Sequence, residues 1–184
     1  MYRQLFQKKS FLQIFLVQCL GAFNDNFFKN SLLIFFSLNI TSISELTWQS
    51  NLSTGLFILP LLIFSATAGQ ISDKFNKAKL VRSLKLIEIG IVTLASIGFY
   101  FGNSTLLTFT LFLMGTQSAF YTPLKYSMLP EYLGTSELLA GNALVESSTI
   151  IIVLLGTIAG SIIPHVDHAS IVIAAIMITT SFLG

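Results

Sequence analysis

An aspartate and a lysine four residues apart, Asp25 and Lys29, lie inside the first long apolar stretch of the chain, with Asn24, Asn26 and Asn30 around them. On a helix that crosses a membrane, an ionised side chain facing lipid costs several kcal/mol, so such residues face a water-filled cavity or a partner charge. Gln18, Ala22, Asp25, Lys29 and Leu32 follow the 3, 4 spacing of one helical face. Two readings follow. In the first, this face is a polar cavity wall on which Asp25, Lys29 and Asn26 meet a solute, a coupling ion or a charge from another helix. In the second, Asp25 and Lys29 neutralise each other and only hold helices together. A helical i, i+4 pair is worth about 0.2 to 0.5 kcal/mol on a wet surface, so even then the site must be screened from lipid.

The elements that position these residues are membrane helices. Of 184 residues, 53% are hydrophobic and 10% charged, whereas a soluble domain carries about 25% charged residues. The fold class expected is all-α and polytopic. A net charge of +2, spread along apolar segments, excludes a nucleic-acid partner. Cys19 is the single cysteine, which excludes an intrachain disulfide. No glycine-rich phosphate loop, catalytic carboxylate pair or Ser/His/Asp set is recognisable, so neither an enzyme site nor a cofactor is expected. His165, Asp167 and His168 in one short connection offer poorly preorganised metal geometry, and no metal site is expected either.

About 20 apolar residues cross a bilayer as a helix. Such windows fall at 11–38, 52–72, 83–101, 105–125 and 141–163, and a sixth opens near 170. From Ser170 to Gly184 this last run is roughly 22 Å long, short of a hydrocarbon core of about 30 Å. The chain is therefore expected to stop inside a sixth helix. Arg3, Lys8 and Lys9 precede the first window, Lys74, Lys77, Lys79, Arg82 and Lys85 fall around the junction of the second and third, and Lys125 ends the fourth. The connections near 39–50, 102–104 and 164–169 have no Lys or Arg. Basic segments stay in the cytoplasm, which predicts a cytoplasmic N-terminus.

The stretch from Gly69 through Asp73, Lys74, Asn76 and Lys77 to Lys79 closes the second window. Gly69 would allow close helix approach, and Asp73 would accept hydrogen bonds from a neighbouring helix N-terminus or a basic side chain, latching one end of the bundle. The alternative is a basic loop that only anchors topology. Glu146 near the start of the fifth window would cap its helix or pair with the basic loop as part of a gate. Gly156 and Gly160 form a small-xxx-small pattern suited to tight helix packing. Pro123 would kink the fourth helix just before Lys125, and a lysine at a span end also snorkels to the interface. Glu88, one turn beyond Lys85, reads as a local pair near the interface.

The stretch at 69–79 resembles the signature loop of the major facilitator superfamily, with Asn76 where glycine is more usual; asparagine tolerates a left-handed turn. Three further segments, Gly21-Ala22-Phe23-Asn24-Asp25-Asn26, Ala119-Phe120-Tyr121-Thr122-Pro123-Leu124-Lys125-Tyr126 and Gly141-Asn142-Ala143-Leu144-Val145-Glu146, resemble the bacterial lysophospholipid transporter family. The resemblance implies an N-terminal six-helix half of a major facilitator fold in the bacterial inner membrane, flipping lysophospholipids by alternating access. It assigns headgroup contacts to Asp25 and Lys125. It also implies a C-terminal six-helix half outside these residues and an acyltransferase as partner or fused domain. Lys29 departs from the apolar residue expected at its position. The competing expectation is a facilitator for a small polar solute or drug, with Asp25 as a proton site.

Overall fold

The computed structural model describes the backbone of residues 2–184 and the side chains from Leu5 onward; the side chain of Arg3 lies outside the described residues. A short helix α1 (Tyr2–Gln7) leads into α2 (Lys9–Asn39), followed by α3 (Ile43–Lys74), α4 (Lys77–Phe101), α5 (Ser104–Tyr132) and α6 (Thr135–Ile162). A 3₁₀ turn at Ile163–His165 then joins α7 (Ala169–Leu183). The described residues contain no strand. α3, α4 and the stretch Thr135–His165 are each long and apolar enough to cross a membrane. α2 and α5, 31 and 29 residues long, carry polar side chains along their buried faces.

Helix ends fall where local chemistry stops or starts the backbone ladder. Asn76 Oδ1 accepts from the Lys79 amide at 3.1 Å and Asn103 Oδ1 from the Leu106 amide at 3.0 Å, each satisfying a first-turn N–H that has no helical acceptor. Asn76 does this with extended backbone, φ −63° and ψ 114°, so it is an N-cap and not the left-handed turn residue expected. A left-handed residue, Gly102 at φ 64°, closes α4 while the Asn103 amide reaches Gly98 O at 2.9 Å; the other among the described residues is His168, φ 56°. α3 starts at Ile43 where hydropathy alone placed a span at 52, and α5 runs through Pro123 and Pro130 to Tyr132 where a span end at 125 was expected.

α3 packs on α5, α2 on α6, and α4 on both α5 and α7, with α2 also meeting α5 and α7. Two apolar clusters result. One gathers Phe27, Phe28, Leu32, Val92, Leu111 and Met177; the other gathers Phe11, Ile14, Leu124, Leu129 and Val145. Along α2 and α5 a polar stretch separates them. The outward faces are the reverse: Leu59, Leu62 and Ile63 of α3 and Ile150, Leu154 and Ile158 of α6 are exposed. A bundle with apolar outward faces and its polar side chains gathered between two buried apolar clusters is built for lipid as its solvent.

Lipid tails are as apolar as leucine, so close backbone packing replaces the hydrophobic drive between such helices. A Cβ added at Gly156 would lie 2.7 Å from Phe23 O, and one at Gly160 2.5 Å from Phe27 O. α6 therefore rests directly on the backbone of α2. Gly115 of α5 meets the Phe57 carbonyl of α3 in the same way. Gly69 does not: nothing lies within 4 Å of a Cβ built there, so no helix of this bundle approaches it closely.

Candidate functional site

Between the two apolar clusters lies a cavity of about 310 Å³, walled by Asp25 and Asn26 of α2, Lys85 and Glu88 of α4, and Ser118 and Lys125 of α5. α2 brings Gln18, Ala22 and Asp25 to it, three of the five residues spaced on one face. Leu32 joins the apolar cluster. Lys29 turns aside: its Nζ lies 3.5 Å from Asn26 Oδ1 and 5.6 Å from the centre of the Phe57 ring. No ion pair joins it to Asp25 among the described residues. The self-neutralising pair is thus not what the geometry supports, and Asp25 faces the cavity with a hydroxyl as partner, Ser118 Oγ donating to Oδ2 at 2.5 Å.

Lys85 and Glu88 form the second charged feature. They are 8% and 3% exposed, and their 2.8 Å ion pair lies inside the bundle, where a pair near the membrane surface was expected. Asn24 Nδ2 and Gln117 Nε2 also point at the Glu88 carboxylate, each at 3.4 Å. Ser118 Oγ lies 3.4 Å from Gln117 Oε1, so a chain of polar contacts runs from Asp25 to Lys85 across three helices. A buried ion pair gains less from its own attraction than the two ions lose on leaving water unless further donors satisfy the carboxylate. Here two amides do so.

Lys125 is 5% exposed and so does not snorkel to the surface. Its Nζ reaches Glu146 Oε1 at 3.1 Å and stands 4.4 Å from the centre of the Tyr126 ring, whose hydroxyl donates to the same oxygen at 2.8 Å. Glu146 thereby ties α6 to α5 and not to the basic turn. At that turn Asp73 and Lys74 are exposed and take no side-chain partner among the described residues. The contacts that hold it come from neighbours: Lys77 Nζ donates to Ser127 O at 3.0 Å and pairs with Glu131 at 2.5 Å, and Ser72 Oγ meets Ser127 Oγ at 2.8 Å. The 3₁₀ turn holding His165 forms no metal-ligand cluster with its neighbours, and none exists among the described residues.

No protein-family model matches the chain, and no solved structure matches it. Curated proteins do. It is 32% identical over 174 residues to the lysophospholipid transporter LplT of Klebsiella pneumoniae, covering 91% of this chain and 40% of that protein. It is 29% identical over 168 residues to the protein of the same name from Escherichia coli, covering 91% and 39%. In sequence, the chain is similar to lysophospholipid transporters over nearly its whole length. It spans about two fifths of the length of these curated relatives. Asp25, Asn26 and Lys125, far apart in the sequence, line one cavity, and Glu146 pairs with Lys125 beside it. Sequence reading passed over Ser118, Gln117 and the inward position of Lys85 and Glu88. The signal available for them was weak: polar residues inside an apolar window, at Thr116-Gln117-Ser118, and charges inside a helix with apolar flanks.

Proposed function

We propose that this chain is the N-terminal six-helix half of a major facilitator type transporter that flips lysophospholipids across the bacterial inner membrane by alternating access. The observation that carries the reading is Asp25: a carboxylate in a cavity at the centre of a lipid-facing bundle, held by Ser118 and paired with no lysine among the described residues. A cationic headgroup group supplies the missing charge. The kinship with proteins named lysophospholipid transporters supports the substrate class over a small polar solute. The headgroup travels along the polar track past Asp25 and Lys125, while the acyl chain stays in hydrocarbon. Since each methylene is worth about 0.8 kcal/mol in apolar surroundings, the protein need not enclose it.

The remaining half of the cavity comes from a C-terminal six-helix unit beyond these residues. The N-terminus is cytoplasmic, supported by basic residues at one end of the helices. The turn between α3 and α4 forms the cytoplasmic gate, with Lys77 as its tie and Asp73 and Lys74 free to engage the second half. An acyltransferase, fused or separate, takes the flipped lipid; the reading frame after Gly184 decides the fusion. The test is uptake of lysophosphatidylethanolamine by the full-length protein in vesicles. Asp25→Asn at normal expression is expected to abolish it, and undiminished uptake would remove Asp25 from the mechanism.

A further inference from the structure

Lys85 and Glu88 are a costly way to fill the space between α4 and α5. A buried ion pair is weak grounds for stability, and apolar residues of similar volume often serve as well or better. The arrangement around Glu88 has a second peculiarity. Its carboxylate has three donors: the Lys85 ammonium at 2.8 Å and two neutral amides, Asn24 and Gln117, on two other helices. When Lys85 withdraws, the carboxylate keeps two hydrogen bonds. Lys85 lies at the end of a flexible four-carbon stem and lines the same cavity as Asp25. The cavity thus presents a carboxylate awaiting a cation and an ammonium whose present partner can spare it.

Resting on the transport reading above, we propose that Lys85 is a second substrate contact. It leaves Glu88 for a phosphodiester oxygen of the headgroup while the headgroup's cationic end sits at Asp25, and Asn24 and Gln117 hold Glu88 meanwhile. The ligand chemistry is a phosphodiester monoanion carrying an ammonium a few bonds away. Such a zwitterion adds no net charge to the cavity, so only the pairing changes. Lys125, engaged with Glu146 and the Tyr126 ring, is the outer cation on the same track.

The experiment measures equilibrium binding to full-length protein in lipid nanodiscs. Its probes are lysophosphatidylethanolamine, hexadecylamine (an ammonium and a chain without phosphate) and free glycerophosphoethanolamine as competitor. The variant is Lys85→Met/Glu88→Gln, which removes both charges together and leaves the amides a neutral partner, so that folding is preserved. Charge-assisted contacts are about twice as strong as neutral ones, and one such contact corresponds to roughly tenfold in affinity. The double variant is expected to bind lysophosphatidylethanolamine roughly tenfold more weakly and hexadecylamine as the wild type does. If glycerophosphoethanolamine also competes less well against the variant, the soluble diester alone suffices for the site. If it competes against neither protein, the lipid headgroup is the source, and the site stands in both cases. Equal lysophospholipid binding by variant and wild type overturns the proposal, as does an equal loss for both chain-bearing probes. Wild-type protein that binds hexadecylamine but no lysophospholipid overturns the transport reading and this one together, a pattern distinct from the others.

Discussion

A methyl group added at Gly160 would stand 2.5 Å from Phe27 O and 3.0 Å from Asn30 Cβ. An ordinary heavy-atom contact is about 3.5 Å, so Gly160→Ala forces α6 and α2 apart by about 1 Å. Neither obstacle can swing away, because one is a helical carbonyl and the other a Cβ fixed to its backbone. Overpacking of this kind costs about 1 to 3 kcal/mol. Gly55→Ala is the control, since nothing lies within 4 Å of a Cβ there, and alanine in a helix is favoured over glycine by about 0.5 to 1 kcal/mol. The helix gain applies at both positions and cancels, so the two variants should differ in stability by about 1 to 3 kcal/mol, the overpacking cost alone. Thermal unfolding of full-length protein in detergent, followed with a thiol-reactive dye, suits the purpose because Cys19 is buried on α2. Uptake should fall with the Gly160→Ala midpoint, because the displaced helix carries Asp25. Equal midpoints for Gly160→Ala and Gly55→Ala would refute the backbone-contact account of this interface.

Ser118→Ala removes the hydroxyl that orients the Asp25 carboxylate. A hydrogen bond to a charged group is worth about 1.5 to 3 kcal/mol, so uptake efficiency is expected to drop by roughly tenfold or more, and an unchanged value would strip Ser118 of that role. Glu137, ahead of the apolar run of α6, is held below the usual carboxylate range by the Lys8 ammonium and then by the Gly134 amide. A folded-state value below the unfolded one adds stability that is fully present above the unfolded value and lost as pH falls through the folded one. Unfolding midpoints of wild type and Glu137→Gln are thus expected to differ at neutral pH and converge below about pH 4; a gap that persists into acid would contradict this assignment.

Length and apolarity located the helices, because crossing hydrocarbon demands both, and the all-α class follows from them. They misplaced the helix ends for a physical reason. Ser44, Glu45, Gln49 and Asn51 lower the hydropathy of the first turns of α3 without weakening their helical backbone, so the helix outlasts its apolar window. Asp25 was legible as a residue screened from lipid, since a carboxylate in an apolar run has few other uses, but only the structure turns Lys29 away from it. Lys85 and Glu88 were not legible in this way. Their i, i+3 spacing is the same on a wet surface or in a core, and what buries them is Asn24 and Gln117, donors 64 and 29 positions away. At the turn after α3 the motif marks the position, but Ser127 and Glu131 on α5 decide which of its side chains finds a partner among the described residues: Ser72 and Lys77, not Asp73.

Lipid on the outside divides the large side chains of this bundle into two kinds: those in the buried clusters, which hold it together, and those on the outer face, which do not. Trimming Leu62, 74% exposed, merely exchanges one hydrocarbon neighbour for another, whereas a single carbon at Gly156 or Gly160, or one lost oxygen at Ser118, reaches the few places where the helices actually grip each other. Drift in such a sequence is cheap along its broad greasy exterior and costly at its smallest residues.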